Sequence, residues 1–162
     1  MNYRAYGEVG QDLFAFEKVG QIGTFLDIGC GNHFDQNNSY GLERIGWTGV
    51  AVDRDAEILA EWPKFRKARV ICAEALTIDW KRELKGYTTI DYLSIDLMDE
   101  EPEVMNALII AGLSFRVITI EHDNIPEIRR KEREILFAAG YTLDRPNVLC
   151  PNGTPFEDWW TK

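Results

Sequence analysis

The sequence predicts an α/β fold in which helices cover a mostly parallel sheet that ends in a C-terminal antiparallel hairpin. Short apolar, β-branched runs alternate with helical patterns along the chain, as in folds built from β/α units. The last two apolar runs are joined only by "PNGTP", which is too short for a parallel crossover. A chain of 162 residues can bury one full core, so we expect a single domain over residues 1–162.

The predicted strands are short apolar runs at residues 24–28, 48–52, 69–72, 90–95, 115–120, 141–150 and 156–161. The predicted helices are residues 11–19, a segment that Asn38 or Ser39 caps, a segment from Asp55 to Pro63, residues 101–110, and a long helix from residue 126 to 139. Asp55 is expected to be an N-cap and Pro63 a terminator. Gly140 is expected to end the long helix in a left-handed conformation.

The tandem Trp159 and Trp160 lie in the last predicted strand, where neighbouring side chains point to opposite faces of the sheet. One of them should therefore be exposed or covered by a partner chain. This pattern suggests a homodimer.

The first strand leads into a glycine-rich turn within the segment "FLDIGCGNHF" at residues 25–34. Such a turn can bind a ligand, and the rest of the sequence must indicate which one. Phosphate, dinucleotide and S-adenosylmethionine are the candidates. An acidic residue closes each of the five predicted parallel strands: Asp27, Asp53, Glu74, Asp96 and Glu121. Carboxylates repel phosphates, and the chain has neither GxxxxGK[ST] nor GxGxxG. The cationic S-adenosylmethionine is the better match.

The residues of the turn predict how that cofactor is bound. Gly29 and Gly31, which flank Cys30, lack the β-carbons that would block the approach of its methionine part. Asp53 is placed to accept hydrogen bonds from the ribose diol. Glu74, or the amide of Ala75, is expected at the adenine edge.

Composition limits the partners. The net charge of −9 makes nucleic acid an improbable partner, and the basic run at residues 64–69 is interpreted as a solvated connector. Three scattered cysteines form neither a disulfide framework nor a zinc site. No segment has the length or pattern of a membrane span or a signal peptide, so we expect a soluble, cytoplasmic protein with no membrane partner.

The chain also resembles the FkbM-type methyltransferases. The likeness runs through "GEVGQDLF", "FLDIG", "NNSYGLERIGWTGVAVD", "IDYLSID", "VITIEHDN" and "AGY". The resemblance implies a Rossmann-like, seven-stranded methyltransferase fold, S-adenosylmethionine as cofactor, and oxygen methylation of a sugar or another small molecule.

By position, the resemblance also implies roles for individual residues: Gln11 and Asp12 near cofactor or substrate, Asp27 and Gly29 in the first cofactor loop, Asn38 and Ser39 at the start of the adjoining helix, Asp53 at the ribose, and Asp96 at the reaction centre. Met98 and Asp99 replace the acid and glycine that the family usually has there. This difference concerns the substrate side of the site.

Methylation of a hydroxyl requires that a proton be removed, and His122 is predicted as the general base because imidazole can accept a proton at neutral pH. Asp96 is predicted to orient the substrate hydroxyl or the cofactor ammonium, with Glu121 and Asp123 near the substrate. No metal is expected, although Mg²⁺ held by Asp96, Glu121 and Asp123 is a less favoured alternative.

The sequence therefore predicts a methyltransferase that acts on a hydroxyl of a small-molecule acceptor. Two alternatives stay open. One is a module that binds S-adenosylmethionine without catalysis, and the other is a nicotinamide-dependent oxidoreductase. The missing third glycine and the terminal hairpin disfavour the oxidoreductase.

Overall fold

The computed structural model of the chain describes residues 3–162. Its strands are β1 (Thr24–Ile28), β2 (Thr48–Asp53), β3 (Arg69–Cys72), β4 (Thr89–Ile95), β5 (Ser114–Glu121), β6 (Thr142–Leu149) and β7 (Pro155–Thr161). Its helices are α1 (Gln11–Val19), α2 (Tyr40–Arg44), α3 (Ala56–Leu59), α4 (Trp62–Phe65), α5 (Trp80–Glu83), α6 (Glu101–Ile110) and α7 (Pro126–Ala138), with a 3-10 turn at Ala75–Thr77.

The strands form one seven-stranded sheet in the order β3-β2-β1-β4-β5-β7-β6. Strands β1 to β5 are parallel, whereas β7 runs antiparallel to both β5 and β6. The predicted fold, including the terminal hairpin, is confirmed. The chain order reverses between β1 and β4, and in sheets of this kind the ligand site lies beyond the carboxyl ends of the strands at that point.

Alternation along the strands divides the core into two layers. Leu26, Leu93 and Ile118 face α6 and α7, while the neighbouring Phe25 and Tyr92 face α1. Because both faces are covered, the central strands are apolar along most of their length. At the carboxyl ends of these strands, the side chains on the sheet face that α1 covers change from apolar to polar. The candidate site begins there.

Both tryptophans of β7 are buried within the chain, so the reason for suggesting a homodimer is wrong. Trp159 is 2% exposed and packs on Phe14 of α1, with ring centroids 4.7 Å apart. Trp160 is 0% exposed and packs on Phe137 of α7 at 5.0 Å. The helices on the two sides of the sheet supply the cover that was assigned to a partner.

Two local predictions also need correction. The segment from Asp55 to Pro63 forms two short helices, because Pro63 lies in the first turn of α4 and does not end a helix. Asp55 does cap α3, since its carboxylate accepts hydrogen bonds from the amides of residues 57 and 58. Ser39 precedes α2 without capping it, because its hydroxyl donates to Asp27. Gly140 has the predicted left-handed φ of 82°.

Across residues 3–162, every helix falls short of the length and apolar character that crossing a bilayer requires.

Candidate functional site

Two adjoining clefts open at the carboxyl ends of the strands, beside the switch between β1 and β4. The main cleft lies over β2 and β3, and its lining includes Gly29, Val52, Asp53, Arg54, Glu74, Ala75, Asp96, Leu97 and Met98. The adjoining cleft lies between the N-terminal segment and the glycine turn, and is lined by Glu8, Asp27, Gly29, Cys30, Gly31, Asn32, Asp35, Gln36, Asn38 and Asp96. Gly29 and Asp96 border both clefts.

The glycine turn is held against the neighbouring strands. Gly29 and Cys30 donate their amides to the carbonyl oxygen of Val52, at 2.9 and 3.1 Å. Gly29 has a φ of 76°, and a β-carbon there would lie 1.7 Å from the carbonyl oxygen of Asp96. At Gly31, with a φ of 52°, a β-carbon would make only an ordinary van der Waals contact, 4.0 Å from the carbonyl oxygen of Gly29. The glycine at 29 is therefore required by the protein's own backbone, apart from any ligand.

Asp53 supports the turn from below. One of its carboxylate oxygens accepts the amide of Gly31 at 3.0 Å, and the other accepts the amide of Asp55 at 2.9 Å. A carboxylate offers about four lone-pair sites, so each oxygen can accept a further hydrogen bond from the cleft. Its position at the end of β2 is that predicted for the ribose contact.

The outer part of the main cleft combines apolar walls with a charged edge. Val52 and Leu97 line it beside Ala75, which is 4% exposed. Glu74 and Arg54 form an exposed ion pair with a nitrogen–oxygen distance of 3.6 Å. The predicted adenine-side residues therefore do lie at this cleft.

Asp27 lies behind the turn at the base of the adjoining cleft, with almost all of its surface covered by protein. Its carboxylate accepts a hydrogen bond of 2.6 Å from the hydroxyl of Ser39, and it is 2% exposed. Burial raises the pKa of Asp27 to about 6, although the Ser39 hydrogen bond and the charge of Arg66 oppose the rise. Asp27 and Ser39 thus fix the base of the turn.

Arg66 connects the glycine turn, the segment before α2 and α2 itself through hydrogen bonds. The sequence did not reveal this role, because the basic run around Arg66 was interpreted as a solvated connector. The side chain is 5% exposed and donates to Ser39 at 2.9 Å, Asn37 at 3.1 Å and the carbonyl oxygen of His33 at 2.8 Å. It also pairs with Glu43 at 3.1 Å.

Trp62 extends the same support from α4. Its indole stacks with the Arg66 guanidinium at 4.2 Å and donates to the carbonyl oxygen of Gly31 at 2.9 Å. The only sequence signal for this arrangement was an arginine near an aromatic residue.

Asn38 forms one wall of the adjoining cleft. Its amide nitrogen donates to the hydroxyl of Ser94 at 2.9 Å, and the residue is 8% exposed. Its carbonyl oxygen has no hydrogen-bond partner among the described residues. This oxygen is buried against Gly7, where an added β-carbon would lie 2.7 Å from it, so it does not open into the cleft.

Three carboxylates, those of Asp96, Glu121 and Glu157, meet where β4 and β5 end and β7 begins. Partial desolvation in the cleft raises the pKa of Asp96, and repulsion from Asp123 and Glu8 adds to the rise. Burial, followed by the charge of Asp96, raises the pKa of Glu121. Glu121 lies directly opposite Glu157 in the β5–β7 register.

Glu157 was not recognised as a site residue because its place depends on that antiparallel register. It is 1% exposed, and one of its carboxylate oxygens has no partner within residues 3–162. Burial, with repulsion from Asp96 and Glu8, raises its pKa to about 8. Glu121 and Glu157 thus form an acidic wall behind Asp96.

His122 points away from both clefts. It has the same orientation along β5 as Ile120, is 1% exposed, and accepts the amide of Asn124 at 3.1 Å through Nδ1. Its Nε2 lies 3.7 Å from a carboxylate oxygen of Asp158. The structure does not bring this imidazole to the cleft, and its role as general base stays a prediction without geometric support. Asp123, next to it, is exposed at the rim.

Gln11 and Asp12 are buried and anchor the N-terminal segment. The carboxylate of Asp12 accepts the hydroxyl of Tyr3 and the amide of Tyr6, both at 2.8 Å. Gln11 accepts the amide of Val9 at 3.0 Å. These two residues hold the segment that brings Glu8 to the adjoining cleft, and neither lines that cleft themselves.

Among the residues that the structure describes, no three His, Cys, Asp or Glu side chains are arranged to hold a metal ion. The alternative in which Asp96, Glu121 and Asp123 bind Mg²⁺ has no support from their placement.

Comparison with solved structures shows the fold. An Aeropyrum pernix fibrillarin with natively bound S-adenosylmethionine is 14% identical with a TM-score of 0.69, over 98% of this chain and 75% of its own. A Clostridium thermocellum protein assigned as an rRNA methylase is 16% identical with a TM-score of 0.68, over 98% and 97%. A Bacillus cereus O-methyltransferase in complex with S-adenosylhomocysteine is 16% identical with a TM-score of 0.65, over 94% and 79%.

These structures have the Rossmann-like fold of the class I methyltransferases, and this chain shares it. No protein-family model matches the chain. No curated protein matches it either. The FkbM resemblance of the sequence therefore has no support beyond the fold, and the fold accommodates different acceptors.

The backbone contact at Gly29 makes a prediction. Gly29→Ala should destabilise the protein by about 3 kcal/mol or more, because left-handed strain adds to a collision with the Asp96 carbonyl. Gly31→Ala is the matched control, and should cost only about 1–2 kcal/mol because its β-carbon meets no atom closer than 4.0 Å and only the left-handed strain remains. Urea denaturation measures both. Equal losses would contradict the close approach of β1 and β4.

The buried acids predict an unusual dependence of stability on pH. Glu132 on α7 is 0% exposed, neither of its carboxylate oxygens has a partner among the described residues, and burial raises its pKa to about 10. Burial likewise raises the pKa of Glu101 to about 7. Between the unfolded pKa of about 4.3 and these folded values, the native state holds more protons than the unfolded state.

The free energy of unfolding should therefore fall as pH rises from 5 to 9, by up to about 1.4 kcal/mol per pH unit for Glu132 over the whole range and for Glu101 up to pH 7. The melting temperature measured across this range checks the sign. Glu132→Gln, which is neutral at every pH, should flatten the curve, whereas the exposed Glu134→Gln should leave its slope unchanged. A melting temperature that rises with pH would contradict the account.

Proposed function

We propose that this chain is an S-adenosylmethionine-dependent methyltransferase. The observation that carries the proposal is the main cleft: a glycine turn and Asp53 flank it at the switch point of a class I methyltransferase fold. Solved proteins of the same fold were captured with S-adenosylmethionine or S-adenosylhomocysteine bound.

The residues of the main cleft fit this cofactor. Asp53 has free acceptor capacity for two ribose hydroxyls, and Val52, Ala75 and Leu97 provide apolar surface for a purine ring. The cleft is also unsuited to a phosphate, because Arg54 is its one lining cation within the described chain and is paired with Glu74. This composition favours the adenosyl cation over a dinucleotide.

The cofactor supplies an electrophilic methyl group on a sulfonium, so the chain must orient the acceptor and exclude water. Asp96 lies at the border of the two clefts, beside the Gly29 turn that is expected to hold the methionine part of the cofactor. We assign Asp96 the orientation of the acceptor. In this arrangement, Asp27, Ser39 and Arg66 are positioning residues that hold the turn.

The FkbM resemblance implies that the methyl acceptor is a hydroxyl group of a sugar or of another small metabolite. It requires a base, and the imidazole proposed for that task lies outside the clefts. The carboxyl pair of Asp96 and Glu121 is the group closest to that role. A module that binds the cofactor without catalysis is the second candidate, because Met98 and Asp99 differ from the family pattern.

Binding of S-adenosylmethionine tests the proposal. Isothermal titration should show one site, and the ligand should raise the melting temperature because it binds only the folded chain. Asp53→Asn should weaken binding about tenfold or more, since charge-assisted hydrogen bonds to the ribose are lost. Glu134→Gln on the outer side of α7 is the control that removes the same charge elsewhere.

Failure of S-adenosylmethionine to bind, or stabilisation by NADH in its place, would refute the proposed function. Binding with no S-adenosylhomocysteine released from any acceptor would favour the non-catalytic module.

A further inference from the structure

We propose that Glu101 and Glu132 form a buried carboxyl pair that positions the loop between β4 and α6, and that the pair does so only while it holds a proton. This loop, residues 96–100, lines the main cleft, whereas neither glutamate does. The proposal rests on the proposed function for the identity of the ligand in that cleft. It adds two positioning residues and a dependence of cofactor affinity on pH.

The loop of residues 96–100 forms one wall of the main cleft. Asp99 has a φ of 88°, a left-handed conformation that a residue with a β-carbon keeps only when its surroundings enforce it. The other four residues of the loop line the cleft: Asp96, Leu97, Met98 and Glu100. The shape of this wall therefore depends on what holds the loop in place.

Glu101 holds the loop from the first turn of α6. One of its carboxylate oxygens accepts the amide of Leu97 at 3.0 Å. Glu101 is 2% exposed and the following Pro102 is buried as well, so the start of α6 is packed into the protein. This hydrogen bond links the position of α6 to a residue of the cleft wall.

Three unused carboxylate oxygens lie where α6 packs on α7. Glu132 of α7 is 0% exposed, and neither of its oxygens has a partner in the described part of the chain. The second oxygen of Glu101 is also buried without a partner among residues 3–162. After burial itself, the charge of Glu101 raises the pKa of Glu132 most. The two carboxyl groups are therefore neighbours.

The other charged groups around Glu132 do not compensate it. Asp158 of β7 and Asp123 of the segment between β5 and α7 face it, together with Arg133 of its own helix. Arg133 is committed to Asp158, to which it donates two hydrogen bonds of 2.7 and 3.0 Å. His122 is likewise on the Asp158 side, with its Nε2 3.7 Å from that carboxylate. Glu132 is left among acids.

The surroundings of Glu101 are acidic as well. Asp123 and Asp96, at the ends of β5 and β4, both raise the pKa of Glu101. Lys131 of α7 does reach α6, but it pairs with Glu103 at 3.4 Å, and both of these side chains are about half exposed. Neither member of the buried pair forms an ion pair within the described residues.

Two ionised carboxylates are unfavourable at this place. Each would lack the hydrogen bonds that replace water around a buried charge, and the two charges would repel each other. Burial raises the pKa of Glu101 to about 7 and that of Glu132 to about 10. The arrangement is therefore favoured below these values. As pH rises through them, repulsion draws Glu101 away from the amide of Leu97.

The affinity for the ligand should follow the same protons. A ligand that binds the positioned loop better than the displaced loop loses affinity as the pair ionises, and the bound ligand in turn makes the pair harder to ionise. A role in stability alone would lower the melting temperature at high pH and leave the affinity of the folded protein unchanged. The affinity thus distinguishes positioning from a structural role.

Calorimetric titration of S-adenosylhomocysteine between pH 6 and 9.5 tests the proposal. Glu132→Gln keeps the shape of the side chain without a titrating group. It should bind as tightly as the wild type at pH 6 and about threefold or more tightly than the wild type at pH 9.5. Glu134→Gln, at an exposed position of α7, should follow the wild type at every pH. Ionisation of the ligand is common to all three proteins, so their differences report on the pair.

A second variant and a measurement without ligand complete the test. Glu132→Met fills a similar volume with no polar oxygen, and should also keep its affinity to higher pH than the wild type. The amide resonance of Leu97 in an NMR titration reports its hydrogen bond to Glu101 directly. It should shift as the pH of the wild type rises from 6 to 9.5, and shift less in either Glu132 variant.

The outcomes separate this inference from the proposed function. Parallel curves of affinity against pH for the wild type and the Glu132 variants, or a Leu97 resonance that does not respond to pH, would overturn the positioning pair alone. The resonance of the wild type decides the matter even if both variants fail to fold. Failure of S-adenosylhomocysteine to bind at any pH would overturn the proposed function, and the Leu97 resonance would still test the pair.

Discussion

Carboxylates of one sign gathered at one edge of the sheet are the constraint on which the rest of this structure depends. Parallel strands bring their carboxyl ends together, so acids that close successive strands in the sequence become neighbours in space. Each acid must then be paired, hydrogen-bonded, protonated or supplied with a cationic ligand. In this chain some of the acids are hydrogen-bonded or close to a cation, and others have raised pKa values. The two groups lie on different sides of the sheet's switch point.

On the β1–β3 side, the compensation is internal. Backbone amides hold Asp53, and Ser39 with Arg66 holds Asp27, so the turn that carries Gly29 is rigidly supported. On the β4–β5–β7 side, Asp96, Glu121 and Glu157 have raised pKa values and no cation among the described residues close enough to pair with them. The acids on the β1–β3 side are therefore held in place by the protein and can position a ligand. The acids on the β4–β5–β7 side have no positively charged partner in the protein, and a cationic ligand could supply one.

Much of the fold could be predicted from the sequence because it depends on local patterns. The strands, the N-cap at Asp55 and the turn at Gly140 follow from alternation, capping chemistry and left-handed glycine. Sheet register and strand order require long-range pairing, and they decide which side chains reach the clefts. Glu157 joined the site because β7 pairs antiparallel with β5, and His122 left it because its orientation along β5 is opposite to that of Glu121. Arg66 looked like surface charge until Trp62 and Ser39 were seen to enclose it.

Proton release on ligand binding tests the central claim most directly. Titration calorimetry with the cationic S-adenosylmethionine, in buffers with different heats of ionisation, counts the protons exchanged on binding. If the acids at the ends of β4, β5 and β7 keep protons until a positive charge arrives, binding near neutral pH must release a measurable fraction of a proton or more. Substitution of Glu157 by Gln should lower that number. Identical binding heats in all buffers would show that these acids do not change protonation when a positive charge arrives, and the account would be wrong.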